Sequence, residues 1–157
     1  MSLAFLGQRG PRMTLVNVAT GERLTANAHP PTFGWSTSVS WPRHEVPGRA
    51  SVPLQYGLTQ NGQVSALELW FDRRLAESEG GTRDLVATVR FLQKLTAPVM
   101  PRHAPPSVLL VWPSLVTFEA VVTSASYEHR EIAMDGQPLL LVATLALEGV
   151  PTPGARR

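Results

Sequence analysis

One segment limits what this chain can fold into more than any other. Pro138–Leu147 reads PLLLVATLAL. Strand alternation puts Leu139, Leu141, Ala143, Leu145 and Leu147 on one face and Leu140, Val142, Thr144 and Ala146 on the other. A strand in a small sheet ordinarily keeps one polar, wet face. This one is apolar on both, and left bare such a strand pairs with copies of itself. Its second face therefore needs a cover. Two are open: a helix of the same chain, or a neighbouring subunit. A membrane span is excluded, because no run approaches the roughly eighteen apolar residues that one needs.

The rest of the chain supplies the partners for that strand. Met13–Val18 alternates, Thr20-Gly21-Glu22 turns, and Leu24–Ala28 returns as the second arm of a hairpin. Phe33–Trp41 (FGWSTSVSW) alternates large apolar residues with serine and threonine, the pattern of a strand with one wet face. Pro42–Pro53 (PRHEVPGRASVP) is a long loop stiffened by proline. Gln63–Phe71 and Val108–Trp112 read as strands, and Leu115–Ala133 as one bent strand or two, with a bulge expected at Ser124-Ala125-Ser126. Asp135-Gly136 is a hairpin turn that sends Leu139–Glu148 back along Tyr127–Ala133. One helix is predicted over 82–96. Thr82 is its N-cap, Asp84 sits in the first turn, and Leu85, Val86, Val89, Leu92 and Leu95 form its apolar stripe. Pro98 stops it.

About seven strands and one helix make a mainly β (α+β) chain: a small β-barrel or two-sheet sandwich with one flanking α-helix. Residues 1–12 read as an N-terminal arm, 13–150 as the single β domain, and 151–157 as a flexible basic tail. That tail matters to the charge. Lysine and arginine number 14 against 12 acids, and Arg156 with Arg157 supplies the whole excess of +2. A nearly neutral body with a basic tip is no phosphate-tracking surface, so nucleic acid is not an expected partner. Thirteen of the 14 cations are arginine, Lys94 being the exception, which suits planar ion pairs at interfaces. The start carries its charges after its apolar residues and is too short for a signal segment, so synthesis in the cytoplasm is expected, without direct membrane insertion.

Chemistry is hard to find. Cysteine is absent, which removes disulfides, thiolate metal sites and cysteine nucleophiles. His29, His44, His103 and His129 show no ligand spacing. No serine lies in a nucleophile elbow, and no glycine run is followed by the Gly-Lys-Ser/Thr of a phosphate loop. The acids Glu68 and Asp72, and Glu77 and Glu79, read as solvated surface. Trp35, Trp41, Trp70 and Trp112 all fall in predicted strands without interleaved arginines, the setting of core tryptophans rather than of a base-stacking platform. No catalytic residue, cofactor site or metal site is assigned, and the chain is read as a non-enzyme.

The order of the pieces is more informative than any one of them. Met13–Leu24 (MTLVNVATGERL), the Pro-Pro-Thr step at 30–32, Val46-Pro47-Gly48, Pro53-Leu54-Gln55-Tyr56 and Leu67–Asp72 (LELWFD) follow one another. After the helix come Pro105–Val108, Val111-Trp112, Val121–Ser124, Tyr127, Asp135–Leu139 and Ala143–Leu145. From about Met13 to Val150 this resembles the tube-type domain of contractile injection systems and contractile phage tails. Many relatives carry a LysM module after that domain; no room for one follows Val150 here, so that module's anchoring role is not carried over.

The resemblance implies a tube-protein-like β-barrel with a flanking helix, acting as a structural subunit. Six copies would form a ring at the baseplate, joining the spike hub to the inner tube and initiating tube assembly. Its implied partners are itself as a hexameric ring, the tube protein, the spike or hub protein and other baseplate subunits, in a phage-tail-like particle assembled in the cytoplasm and then membrane-docked or released. The residues meet this at two places. Arg43, Glu45 and Arg49 in the proline-stiffened loop are positioned to pair across an interface, and Leu140 and Val142 are expected on the face that a neighbour covers. The alternatives are a tube or tube-terminator subunit of the same particle, a stand-alone β-barrel binding a small ligand or peptide, and a hydrolase with a site built from loops.

Overall fold

The computed structural model of the chain describes residues 12–27, 30–45, 47–48, 50–75 and 84–151. Most of the expected N-terminal arm and basic tail lie outside these residues, as do His29, Val46, Arg49, Glu77, Glu79 and Thr82. The chain opens on the expected hairpin. β1 (Thr14–Asn17) and β2 (Arg23–Thr25) pair antiparallel with Leu15 opposite Leu24. Asn17 builds the turn between them: its buried Oδ1 accepts from the Ala19 and Thr20 amides at 3.0 and 3.3 Å. Gly21 closes it at φ +75°, a left-handed conformation that glycine adopts without a Cβ penalty.

The main sheet has six antiparallel strands in the order β2-β1-β6-β7-β8-β5. Here β5 is Gln63–Asp72, β6 is Val108–Trp112, β7 is Val116–Ile132 and β8 is Pro138–Gly149. β7 is one bent strand of 17 residues. Its first register shift falls between Val122 and Ser124, just ahead of the bulge expected from the small residues, and further shifts flank Glu131. The β7–β8 turn is the predicted one: Gly136 lies at φ +80°, and Asp135 Oδ1 accepts from the Gln137 amide at 3.0 Å.

The sheet curls until its two edge strands approach, without closing into a barrel. Asn27, just past β2, ties the edges together. Its amide donates to the Trp70 carbonyl at 3.1 Å and its Nδ2 to the Asp72 carbonyl at 2.9 Å, both on β5. Arg12 donates to the Asn27 carbonyl in turn, at 2.7 Å. The buried side chain thus satisfies backbone groups that an edge strand would leave open. Inside the curl lie Leu15, Leu24, Leu69, Phe71, Leu110 and the β8 residues Leu141, Ala143, Leu145 and Leu147.

α1 (Leu85–Lys94) packs on that inner face. It is shorter than predicted, and its N-cap is Asp84, whose carboxylate accepts from the Ala87 amide at 2.9 Å. The stripe is also rotated. Leu85, Thr88, Phe91, Leu92 and Leu95 are buried, whereas Val86 is exposed and Val89 only partly covered. Thr88 can point inward because its hydroxyl donates to the Asp84 carbonyl at 3.0 Å, which leaves a satisfied polar atom and a methyl for the core.

The helix therefore covers the first face of β8 and not the second. Phe33–Trp41 also departs from expectation, since only β3 (Val39–Ser40) forms there, paired with β4 (Leu58–Thr59) in a separate two-stranded sheet. The alternation predicted a buried face, but only Phe33 packs, half-buried, against the core, and from Gly34 to Trp41 both faces are exposed.

Candidate assembly surface

The described residues between 36 and 63 form a single irregular hairpin, called the arm below. Ser36 pairs with Gln63 at its base, β3 with β4 in its middle, and Arg43 with Leu54 farther out. Gln60 N–H to Ser38 O (2.8 Å), Gly57 N–H to Ser40 O (2.9 Å) and Gln55 N–H to Pro42 O (3.2 Å) hold its two sides together. Gly57 is needed there, because a Cβ would meet Pro42 Cδ at 3.0 Å and the Ser40 carbonyl at 3.1 Å. What the arm displays is apolar. Trp41, Leu54, Tyr56 and Leu58 are 53, 57, 61 and 63% exposed. Trp41 and Tyr56 meet edge to face at 5.7 Å, and the Tyr56 hydroxyl is within 2.9 Å of Thr59 Oγ1. Isolated exposed apolar residues are ordinary, but a contiguous set on a projecting element marks a contact surface. Arg43 and Glu45 lie on this arm, both exposed; Arg49 falls outside the described residues.

The arm's base adjoins the end of β8, where Gly62 O accepts from the Gly149 amide at 2.7 Å, and Gly149 lies opposite Ala120 of β7. Beside it lies an open cleft of about 510 Å³ lined by Trp35, Leu109, Val116 and Phe118. At the other end of β7 stands the β7–β8 turn, with Ile132 exposed and Met134 fully so. A groove of about 420 Å³ runs between that turn and α1, lined by Val86, Val89, Ile132 and Pro138 with Arg90 and His129 at its edge. The two ends are unlike. One projects an apolar arm, and the other offers an apolar groove.

Leu140 and Val142 are elsewhere than a bare surface: they are 7 and 3% exposed and form a small cluster with Trp70 on the second face of the sheet. The Arg130 guanidinium lies 4.9 Å over the Trp70 ring. Trp70 Nε1 is buried with no hydrogen-bond partner, as is the Tyr127 hydroxyl, whose pKa burial pushes up. Next to the cluster Asp72 is buried rather than solvated. Burial pushes its carboxyl up, but a bidentate Arg74 (2.7 and 2.9 Å), the Arg74 amide and the Arg74 charge together hold it below its usual value. Arg74 reaches on to Glu131 at 2.8 Å, fastening the end of β5 to the end of β7. Glu128 and Arg130 pair along their own strand at 3.3 Å rather than across strands.

The four tryptophans thus divide in a way that their strand-like contexts did not signal. Trp70 is core-like and Trp112 half-covered beside Phe33 at 5.8 Å, whereas Trp35 and Trp41 are exposed. The histidines do not gather: His44 is on the arm, His103 in a turn at φ 52°, and His129 at the groove. Among the described residues no three of His, Cys, Asp and Glu are placed to hold a metal ion. No helix there is long and apolar enough to cross a membrane.

Exposed apolar side chains gathered on one element are what assembling proteins present, and the sequence comparison agrees. Residues 14–156 match the model of the contractile injection system tube protein family. The chain belongs to that family and is a structural component of a contractile injection system, a phage-tail-like particle. Among solved structures, one similar chain comes from the cryo-EM structure of the anti-feeding prophage (AFP) baseplate, 6-fold symmetrised. It shares 13% identity at a TM-score of 0.43, over 96% of this chain and 95% of that one. None of the curated proteins matches in sequence.

Proposed function

We propose that this chain forms a ring at the baseplate that joins the spike hub to the inner tube and initiates tube assembly. One observation carries the reading beyond family membership: the two ends of β7 present different unpartnered surfaces, the arm at one and the groove at the other. A joint between unlike partners needs unlike ends, and a subunit with unlike ends also meets copies of itself heterologously, the kind of contact that closes into rings. Strand edges supply a lateral route. Beyond Ala120, β7 pairs with β8 on one side and with no described strand on the other, so its outer half is open to a neighbouring chain. Leu140 and Val142 serve this interface from beneath, by fixing Trp70 and Arg130 where the open half of β7 meets its neighbour. Assembly takes place in the cytoplasm, with the tube protein, the hub and other baseplate subunits as partners and no cofactor.

The test is to remove the chain from its producer and image what assembles. Spike hubs without tubes, restored by the wild-type chain, are the expected result. Full-length tubes seated on hubs in its absence overturn the reading. The same unlike ends suit a tube or terminator subunit, and labelled chain spread along the whole tube, or confined to its far end, selects those instead.

A further inference from the structure

We propose that the arm of one copy seats in the groove between α1 and the β7–β8 turn of a second copy. This rests on the ring reading above and names the self-contact that would build it. The base of the arm, Gln63, pairs with Glu148 near the end of β8, and the groove takes in Pro138 at its start, ten residues away, which is roughly 33 Å of extended strand. No arm residue lines the groove of its own chain.

Size and chemistry then match between the two. The Trp41–Tyr56 pair with Leu54 and Leu58 forms a compact apolar head, of the aromatic-rich composition that dominates binding energy at interfaces. The groove is small, about 420 Å³, with apolar walls from Val86, Val89, Ile132 and Pro138, so it admits a side-chain pair rather than a whole element.

Charge follows the same pattern. Arg43 and Glu45 flank the head; Arg90 lines the groove and Asp135 adjoins its lining residue Gly136, one of each sign on each side. None of the four has an ion pair among the described residues. Docking brings these unpaired charges into opposite-sign register around an apolar centre, which fixes orientation more than it adds affinity. An arm-to-arm contact, by contrast, would close as an isolated dimer and leave the groove bare.

The absence of cysteine makes the test clean. The full chain carrying Gln55→Cys, next to the head, and Gln93→Cys, in the groove lining, both at exposed positions, is treated with a short thiol-to-thiol cross-linker as purified protein and within particles. The expected result is a ladder of cross-linked oligomers from the double variant and a single dimer band when the two single variants are mixed. Neither single variant alone gives a band. Self-linking of Gln55→Cys alone overturns the proposal in favour of arm-to-arm pairing. Particles that contain the chain but yield no product between positions 55 and 93 overturn it too, and a link from the arm to a different subunit then identifies the true acceptor. Failure of the ring reading looks different: particles would lack the chain while the purified double variant still forms the ladder.

Discussion

Leu140 is the position at which a folding role and a contact role predict opposite measurements. Its side chain is 7% exposed and touches the Trp70–Val142 cluster on the second face of the sheet. Truncating a buried leucine to alanine ordinarily costs about 2–5 kcal/mol, the lost transfer energy plus a cavity term. Here the low end applies, because the cluster has three members rather than the full core, and the Arg130 side chain above Trp70 has room to settle. We expect Leu140→Ala to destabilise the isolated chain by about 2–3 kcal/mol, which for a domain of this size lowers Tm by roughly 5–10 °C. Val142→Ala removes less and should cost about 1–2 kcal/mol. Tyr56→Ala on the arm serves as the counterpart. At 61% exposed it should change stability by no more than about 0.5 kcal/mol yet weaken assembly strongly. Urea unfolding of the purified variants, read as a midpoint at unchanged slope, measures the first quantity, and sedimentation of particles measures the second. The reasoning fails if Leu140→Ala leaves the midpoint where it was while blocking assembly. That result would mean that the cluster opens in solution and that a partner, not the chain itself, buries it.

Asp72 sets an acid limit. Its folded pKa lies below the ordinary 3.8, so its contribution is full above that value and is lost as pH falls through the lowered one; Asp72→Asn should flatten the drop in stability measured by acid titration below about pH 4. Gly136→Val should destabilise by about 1–2 kcal/mol in thermal melts, since a β-branched residue is strained at φ +80° although no atom lies within 4 Å to clash with it. Peroxide should oxidise Met100 and Met134 well before the buried Met13, as read by peptide mass; in assembled particles Met134 should be protected, and equal rates in both forms would count against a contact at the β7–β8 turn.

Much of this fold is legible in the sequence wherever the pattern and the burial share one cause. β6, the β1–β2 turn and the Asp135-Gly136 turn fall where predicted, because apolar alternation and left-handed glycines leave few other solutions. The two-faced character of β8 is legible too, with Leu141, Ala143, Leu145 and Leu147 in the main core and Leu140 with Val142 in the second cluster. What covers that second face could not be read, because the cover is Trp70 from the neighbouring strand. Trp70 faces Val142 only through a register set by the bulge between Val64 and Leu67, and a bulge shifts every later side chain by one face. The helix stripe was misread for a similar reason. Thr88 counts as polar in a pattern, and only its bond to the Asp84 carbonyl lets it enter the core, which turns Val86 out to the groove.

The arm is the instructive failure. Alternation in Phe33–Trp41 is the signature of a strand with one buried face, and beyond the half-buried Phe33 the structure leaves both faces exposed. A pattern records that a surface is meant to be covered; it does not record by which molecule. The same ambiguity stands at Pro138–Leu147, where both faces are covered within the chain. Trp41, Leu54, Tyr56 and Leu58 pose it in the other direction, since none of the described residues covers them. For a monomer these side chains would be an aggregation liability without return. On the proposed arm-to-groove contact they are where the missing burial is recovered, so their exposure and the chain's assembly become two sides of one free-energy requirement. Replacing all four with serine therefore should yield a folded, more soluble chain that no longer enters particles. A variant that still assembles would show that the pattern on the arm has some other cause.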